Sequence, residues 1–409
     1  MSHSEMFEKY ADLAVRVGVN VQKDQLLYIG ASIDNAPFVR LVTKKAYEAG
    51  ARQVFVDWAD DEVSRMRYEM APSDSFSEFP EWKKLEREAL ADKGAAFMNI
   101  VSASPDLMKG VDSQRISDFQ RAAGQALEKY RQYIQSDKVS WTVIAAPSAG
   151  WAKKVFPDVE ESEAIEKLWD AIFKAVRVDQ KDPVAAWKKH DETLHEKADY
   201  LNNKKYKQLH YKAPGTDLTI DLPAGHIWAG AGSVNEKGNT FMANMPTEEV
   251  FTVPHKDGVS GYVTNTKPLS YGGNIIDGFK ITFENGRITD VTAEEGEDIL
   301  KKLIDTDEGS HRLGEVALVP HQSPISQSNV LFFNTLFDEN ASNHLAIGSA
   351  YAFCVEGGKT ASKEELAEKG LNSSITHVDF MIGSEKMDID GISEDGSSEP
   401  VFRNGDWAF

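Results

Sequence analysis

Apolar and polar positions alternate in two different rhythms along this chain. Over the first 200 or so residues, stretches with helical spacing take turns with short apolar runs of strand length. "SEMFEKYADLAVRVG" repeats its apolar residues on one helical face. "QLLYIG" then reads as a strand, "APFVRLVTKKAYEAG" as a helix stopped by glycine, and "RQVFVDW", "AFMNIVS" and "VSWTVIAAP" as further strands. Such alternation predicts a mostly parallel sheet covered by helices. From about Lys205 the rhythm shortens to β-branched runs separated by turn residues: "LTIDLP", "EEVFTVP", "VSGYVTN" and "FKITFENGRITDV". Asn285-Gly286, set between two alternating runs, predicts a two-residue hairpin. A helix over "AEEGEDILKKLIDT" precedes the strand "GEVALVP". The expected organisation is an α/β N-terminal domain with a mostly parallel sheet over 1–206, closed by the polar "NNKKYKQ", and a β-rich α+β C-terminal domain over 207–409.

Composition agrees with a folded chain: 41% hydrophobic and 27% charged residues leave enough apolar surface for a core in each half. No apolar run reaches the roughly 18 to 20 residues of a membrane span, and "MSHSEMFEKYADLAVRVG" carries acids where a signal peptide has basic residues, so a cytoplasmic protein is expected. The net charge of -20 repels nucleic-acid phosphates and anionic lipid, which turns attention to small molecules or peptides as partners. The single cysteine, Cys354, can form no internal disulfide and reads as a small buried hydrophobe in "AYAFCV".

Several familiar patterns fail on spacing. "GAGSVN" lacks the third glycine and the strand-to-helix setting of a dinucleotide turn, and reads as a β-region turn. His190 and His195 of "HDETLH" are five apart, so they diverge around a helix and face solvent instead of forming a zinc pair. "DIDGISEDG" misses the calcium-loop spacing and reads as a solvated acidic turn. Asp34 and Asn35 of "QLLYIGASIDNAP" read as helix-capping residues.

Four segments remain. In "SSITHVDFMIG", His377 and Asp379 are two apart on a strand and therefore project from one face, while Val378 and Phe380 cover the other. A polar outer strand face has the same appearance. Glu248 and Glu249 head the apolar run of "NMPTEEVFTVP", Glu315 sits inside "RLGEVALVP", and His344 and Tyr351 are embedded in "NHLAIGSAYAFC". Singly, the glutamates also read as strand-end charges, and the histidine and tyrosine as hydrogen-bonded core residues. Gathered, buried carboxylates such as Glu249, Glu315 and Asp379 repel one another, and divalent cations remove that repulsion while making neutral histidines useful ligands. Five protein ligands are too few for two closed tetrahedral sites; a shared carboxylate and a shared water complete both and leave positions for substrate.

These segments resemble those of the thermophilic-type metalloaminopeptidases, the group of aminopeptidase T and the related aminopeptidases S. The likeness runs from "YADLAVRVGVNVQKDQLLYI" through "NMPTEEVFTVPHKDGVSGYV", "GEVALVP" and "NHLAIGSAYAF" to "THVDFMIGS". The resemblance implies metal ligands at Glu249, Glu315, His344, His377 and Asp379, and a site tyrosine at Tyr351. It also implies two divalent ions (zinc, cobalt or manganese), a homodimer, and removal of the N-terminal residue of peptides by a metal-bridged water. Glu248 is the candidate general base, although adjacent strand residues point to opposite faces. On the residues alone two other classes stay open: a non-enzymatic metal- or partner-binding β domain, and an α/β enzyme working at the N-terminal sheet.

Overall fold

The computed structural model describes residues 3–272 and 274–409, with the backbone alone at Ser113. It divides into two compact units, Met1–Lys189 with Gly232–Pro246, and His190–Ala231 with Thr247–Phe409. No helix among the described residues is long and apolar enough to cross a membrane.

The first unit is built on four parallel strands, β1 (Leu26–Ser32), β2 (Gln53–Ala59), β3 (Ala96–Val101) and β4 (Trp141–Ala145), in the order β2-β1-β3-β4. Parallel neighbours need crossovers, and the helices Ala36–Glu48 and Glu81–Asp92 supply two of them. The apolar runs are explained by burial on both faces: Leu27, Tyr28 and Ile29 of β1 and Ala96, Phe97 and Met98 of β3 are all buried, whereas the edge strand β2 stays half-exposed. At the end of β1 the capping acceptor is Ser32, whose hydroxyl takes the N–H of Asp34. Asn35 opens the following helix without a side-chain cap, which corrects the capping role expected of this pair: the serine already fills it.

The second unit packs two antiparallel sheets around one core. Eight strands form the larger sheet, in the order Arg287–Thr292, Lys280–Glu284, Val259–Thr264, Thr216–Asp221, Gln208–Ala213, Asp388–Ile392, Ser398–Arg403 and Asp406–Trp407. The smaller has β5 (Ala229–Gly230), β6 (Val250–Thr252), β7 (Leu313–Leu318), β8 (His344–Gly348) and β9 (His377–Met381), in the order β9-β8-β7-β6-β5. The expected acidic turn at "DIDGISEDG" is corrected here. Asp388–Ile392 is a strand, because Ile389 and Gly391 turn inward, the latter against the ring of Tyr206, while Asp390 pairs with Arg403 at the rim.

The Asn285-Gly286 hairpin is present as read: Asn285 and Gly286 take φ of 49° and 80° between the strands Lys280–Glu284 and Arg287–Thr292. A Cβ on Gly286 would sit 1.8 Å from the carbonyl oxygen of Lys256. Gly286→Ala should therefore remove about 2–3 kcal/mol and lower the melting temperature of this unit by roughly 5–10 °C in a thermal scan. An unchanged melting temperature would show that the loop at Lys256 yields freely.

Candidate metal centre

The smaller sheet separates its two faces by strand alternation. Val250, Val316, Leu318, Leu345, Ile347 and Phe380 point into the core of the unit. The intervening positions carry Glu315 and Ala317 on β7, His344, Ala346 and Gly348 on β8, and His377 and Asp379 on β9. Register brings them into rows. Glu315 lies opposite Ala346, which lies opposite Asp379, so a methyl group separates two carboxylates across three strands. Gly348 faces His377, and its φ of +112° with a Cβ position 2.2 Å from the Thr376 oxygen admits no side chain. Small residues on β8 thus clear the floor on which larger polar side chains on β7 and β9 converge. Glu249 arrives from the turn before β6, two residues ahead of Phe251.

Glu249, Glu315 and His344 offer ligand atoms within 4.8 Å of one another, and so do Glu315, His377 and Asp379. Glu315 belongs to both groups. His344 Nε2 is 3.2 Å from Glu249 Oε2 and 3.8 Å from Glu315 Oε1, and His377 Nε2 is 3.1 Å from Glu315 Oε2 and 3.4 Å from Asp379 Oδ1. The opposite ring nitrogens decide what these distances mean. His344 Nδ1 lies 3.2 Å from the Ser342 carbonyl and His377 Nδ1 lies 2.7 Å from that of Ser349. A carbonyl only accepts, so Nδ1 carries the proton in both rings. Each Nε2 lone pair then confronts carboxylate oxygens, an arrangement that requires a second proton or a metal cation between them. The donor set of two imidazoles and three carboxylates, mostly buried, fits divalent metal ions.

Protonation among the protein groups alone shows the same tension. Burial pushes the Glu249 carboxyl above its ordinary range despite the hydrogen bond with His344, and the charges of Glu315 and Asp379 add to the rise. Burial also opposes ionisation of Glu315, but its hydrogen bonds with His344 and His377 prevail and hold it at about 2. Burial disfavours charge on His377, yet Asp379 and Glu315 outweigh it and raise its pKa to about 11; His344 is likewise raised, by Glu249 and Glu315. Tyr351 is 36% exposed, but the dense surroundings of its hydroxyl and the charges of Glu315 and Asp379 still push the phenol up, so it is a donor. Its ring lies 4.9 Å from that of His377.

Glu248 occupies a different environment. It is 3% exposed, its N–H donates to Asn340 Oδ1 at 2.7 Å, and its carboxylate lies 3.6 Å from His190 Nε2. The structure does not group it with the five candidate ligands. His190, expected in solvent, is only 11% exposed, with Nε2 2.7 Å from the Thr247 carbonyl; the expectation weighed His190 only against His195, while its partner comes from a distant turn. His195 does face outward.

Two residues had no sequence signal. Glu339 lies in the one-turn 3-10 helix Glu339–Ala341, which packs against β9 and its cluster residues, and burial and the charges of Glu249 and Asp379 raise its carboxyl well above the ordinary range. Asn340, fully buried, holds the Glu248 backbone as described. Both lie in "FDENASN", whose polar, aperiodic composition is that of an exposed loop.

Comparison with known proteins gives this geometry its setting. The family model described as "Thermophilic metalloprotease (M29)" matches residues 3–407. The chain is 67% identical over 408 residues to aminopeptidase AmpS of Bacillus subtilis (strain 168), covering 100% of both chains. It is 43% identical over 400 residues to aminopeptidase T of Thermus thermophilus, covering 98% of each. The solved structure of wild-type AmpT from Thermus thermophilus superposes with a TM-score of 0.95 at 41% identity, covering 100% of both chains. Matched along nearly its whole length in sequence and in fold, the chain belongs to the thermophilic metalloprotease family and is a metallo-aminopeptidase.

Proposed function

We propose that this chain releases single residues from the free amino end of peptides at a two-metal centre held by Glu249, Glu315, His344, His377 and Asp379. One observation carries the reading: the two three-ligand groups share Glu315, and each histidine turns an Nε2 lone pair toward carboxylates. Divalent ions held by these residues (zinc, cobalt or manganese, among which mixed nitrogen and oxygen ligands discriminate little) would supply Lewis acidity for the scissile carbonyl and lower the pKa of the attacking water.

The chain's own groups do the rest. The Ser342 and Ser349 carbonyls fix both imidazole tautomers, so that Nε2 is offered without reorganisation. Tyr351, protonated, donates to the carbonyl oxygen as it gains charge during attack. Glu248 takes the proton of the attacking water and returns it to the leaving amine, its backbone anchored by Asn340 and its carboxylate backed by His190. The ammonium group of the substrate is drawn to the excess of carboxylate, Glu339 included, which is why a blocked amino end would escape cleavage. We extend the proposal to a cytoplasmic homodimer, the first part supported by the single buried thiol Cys354 and the second by the family resemblance alone.

The direct test compares an unblocked leucyl substrate with its N-acetylated twin, using protein stripped by chelator and resupplied with zinc, cobalt or manganese. Cleavage of the free-amine substrate alone, restored by metal, is expected; equal cleavage of both would sink the exopeptidase reading. Glu315→Ala and His377→Ala should lower the metal content measured by elemental analysis, and full occupancy in either would remove that residue from the ligands. Glu248→Gln should keep its metal and lose roughly 10²- to 10⁴-fold in kcat, while retention of most turnover ends its role as base. Metal uptake should also release protons. Asp379 and Glu315 raise the His377 imidazole, and Glu249 and Glu315 that of His344, well above the ordinary value, so at neutral pH an ion must displace a proton from each. Apparent metal affinity should therefore rise with pH between 6 and 8, and calorimetry in buffers of different ionisation heat should count about two protons released on full loading. A count near zero would remove the histidines from the ligand set.

A further inference from the structure

The cluster face of the smaller sheet also carries an apolar part. Ala229, Phe251, Ala317 and His344 stand directly opposite one another in register across β5, β6, β7 and β8. Val250 is buried in the core of the unit, so strand alternation turns Phe251 the other way, to the face of Glu315 and His344, where it is only half-buried. Ala317 stands between Phe251 and His344 and reaches no further than a methyl group.

Two more rings extend this apolar part toward the cluster. Phe353 stacks on Tyr351 at 5.4 Å with the planes 27° apart, and Phe251 meets each of them at 6.0 Å, edge to face. Tyr351 in turn lies beside the His377 imidazole, so a continuous aromatic strip runs from a candidate ligand to β6. Behind it, Val253, Cys354, Val355 and Leu371 are buried and hold Phe251 and Phe353 in place. The strip is not fully covered: Tyr351 is 36% exposed, and Phe251 and Phe353 keep part of their surface in solvent.

An aminopeptidase fixes the first residue of its substrate by the free amino group and by the scissile carbonyl. The side chain leaves from the carbon between them, so it lies within one side chain's reach of the metal ligands. We propose that Phe251, Tyr351 and Phe353 receive the side chain of the released residue and select large apolar or aromatic side chains over small ones. The proposal rests on the metal centre placed at Glu249, Glu315, His344, His377 and Asp379, and adds the part of the site that chooses the substrate. A phenyl or isobutyl group laid on the strip takes apolar surface of both partners out of water, and a ring adds stacked or edge-on contacts. A methyl group covers almost none of it.

The first measurement is calorimetric titration of the metal-loaded full chain with L-phenylalaninol and L-alaninol, amino alcohols that keep the free amine and contain no bond to cleave. Phenylalaninol should bind at least about tenfold more tightly. The same order should appear in kcat/KM for phenylalanyl over alanyl substrates. Phe251→Ala should shrink that ratio about tenfold and Phe353→Leu about threefold, whereas Phe251→Tyr, which keeps the ring, should retain it. Melting temperature and metal content report that each variant folds and loads. Equal binding of the two amino alcohols overturns the proposal, and so does a loss in the variants that falls equally on both substrates, as damage to the fold would. Failure of the metal centre itself reads differently: full metal content in Glu315→Ala and His377→Ala would remove the ligands from which the side chain is reached, whatever the preference.

Discussion

The structure of the second unit is governed by the crowding of like charges where water is scarce. Glu249 and Glu315 are almost fully buried, Asp379 is close beside them, and Glu339 adds a fourth carboxyl to the same neighbourhood. Taking an ionised carboxylate out of water costs several kcal/mol unless an opposite charge compensates it. Protein groups alone solve the problem only in part, by loading both histidines with an extra proton and letting Glu249 and Glu339 drift toward the neutral form. Divalent cations solve it more completely, because each brings two charges to a point that several oxygens can reach at once. The donor set of the cluster therefore suits divalent cations better than it suits a set of buried ion pairs.

That demand shapes the sheet around it. Strands confine the candidate ligands to every second residue, so the remaining positions on β6 to β9 are free to build the core, and they do so with Val, Leu, Ile and Phe. Convergence needs space as well as direction. Ala346, Ala317 and Gly348 supply it, and the backbone of Gly348 adopts a conformation closed to other residues. Burial of β7 and β8 on both faces then does for the imidazoles what solvent-exposed loops could not: it ties each Nδ1 to a carbonyl of fixed position.

Local signals in the sequence carried far, and non-local ones did not. The hairpin at Asn285-Gly286 was legible because its cause, a left-handed pair of turn residues, lies within two positions. The same holds for the parallel first unit, whose long apolar runs report burial on two faces. His377 and Asp379 could be assigned to one strand face from spacing, but the row linking Glu315, Ala346 and Asp379 depends on pairing between segments far apart in the chain, which periodicity does not encode; there the family resemblance supplied the positions. Misreadings share one source. His190 was weighed against its helical neighbour when its partners come from Thr247 and Glu248, and Asp388–Ile392 was weighed by its acids when Ile389 decided its fate. Glu339 had no repeat and no motif to announce it.

The contrast between Glu248 and Glu249 shows how little separates a cluster residue from its neighbour. Both are buried, adjacent and chemically identical, yet one meets His344 and the other meets His190. What distinguishes them is the direction imposed by the turn before β6, and that turn is held by Asn340, a buried amide that also donates to the Leu336 carbonyl at 3.1 Å. Asn340 directly follows Glu339, so the segment that brings the fourth carboxyl to the cluster also fixes which glutamate of the pair can join it. A shift of this short segment would disturb cluster charge and glutamate orientation together, because one hydrogen bond and one peptide unit couple them. The division of labour proposed between Glu249 as ligand and Glu248 as base thus rests on backbone geometry, not on any difference between the two side chains.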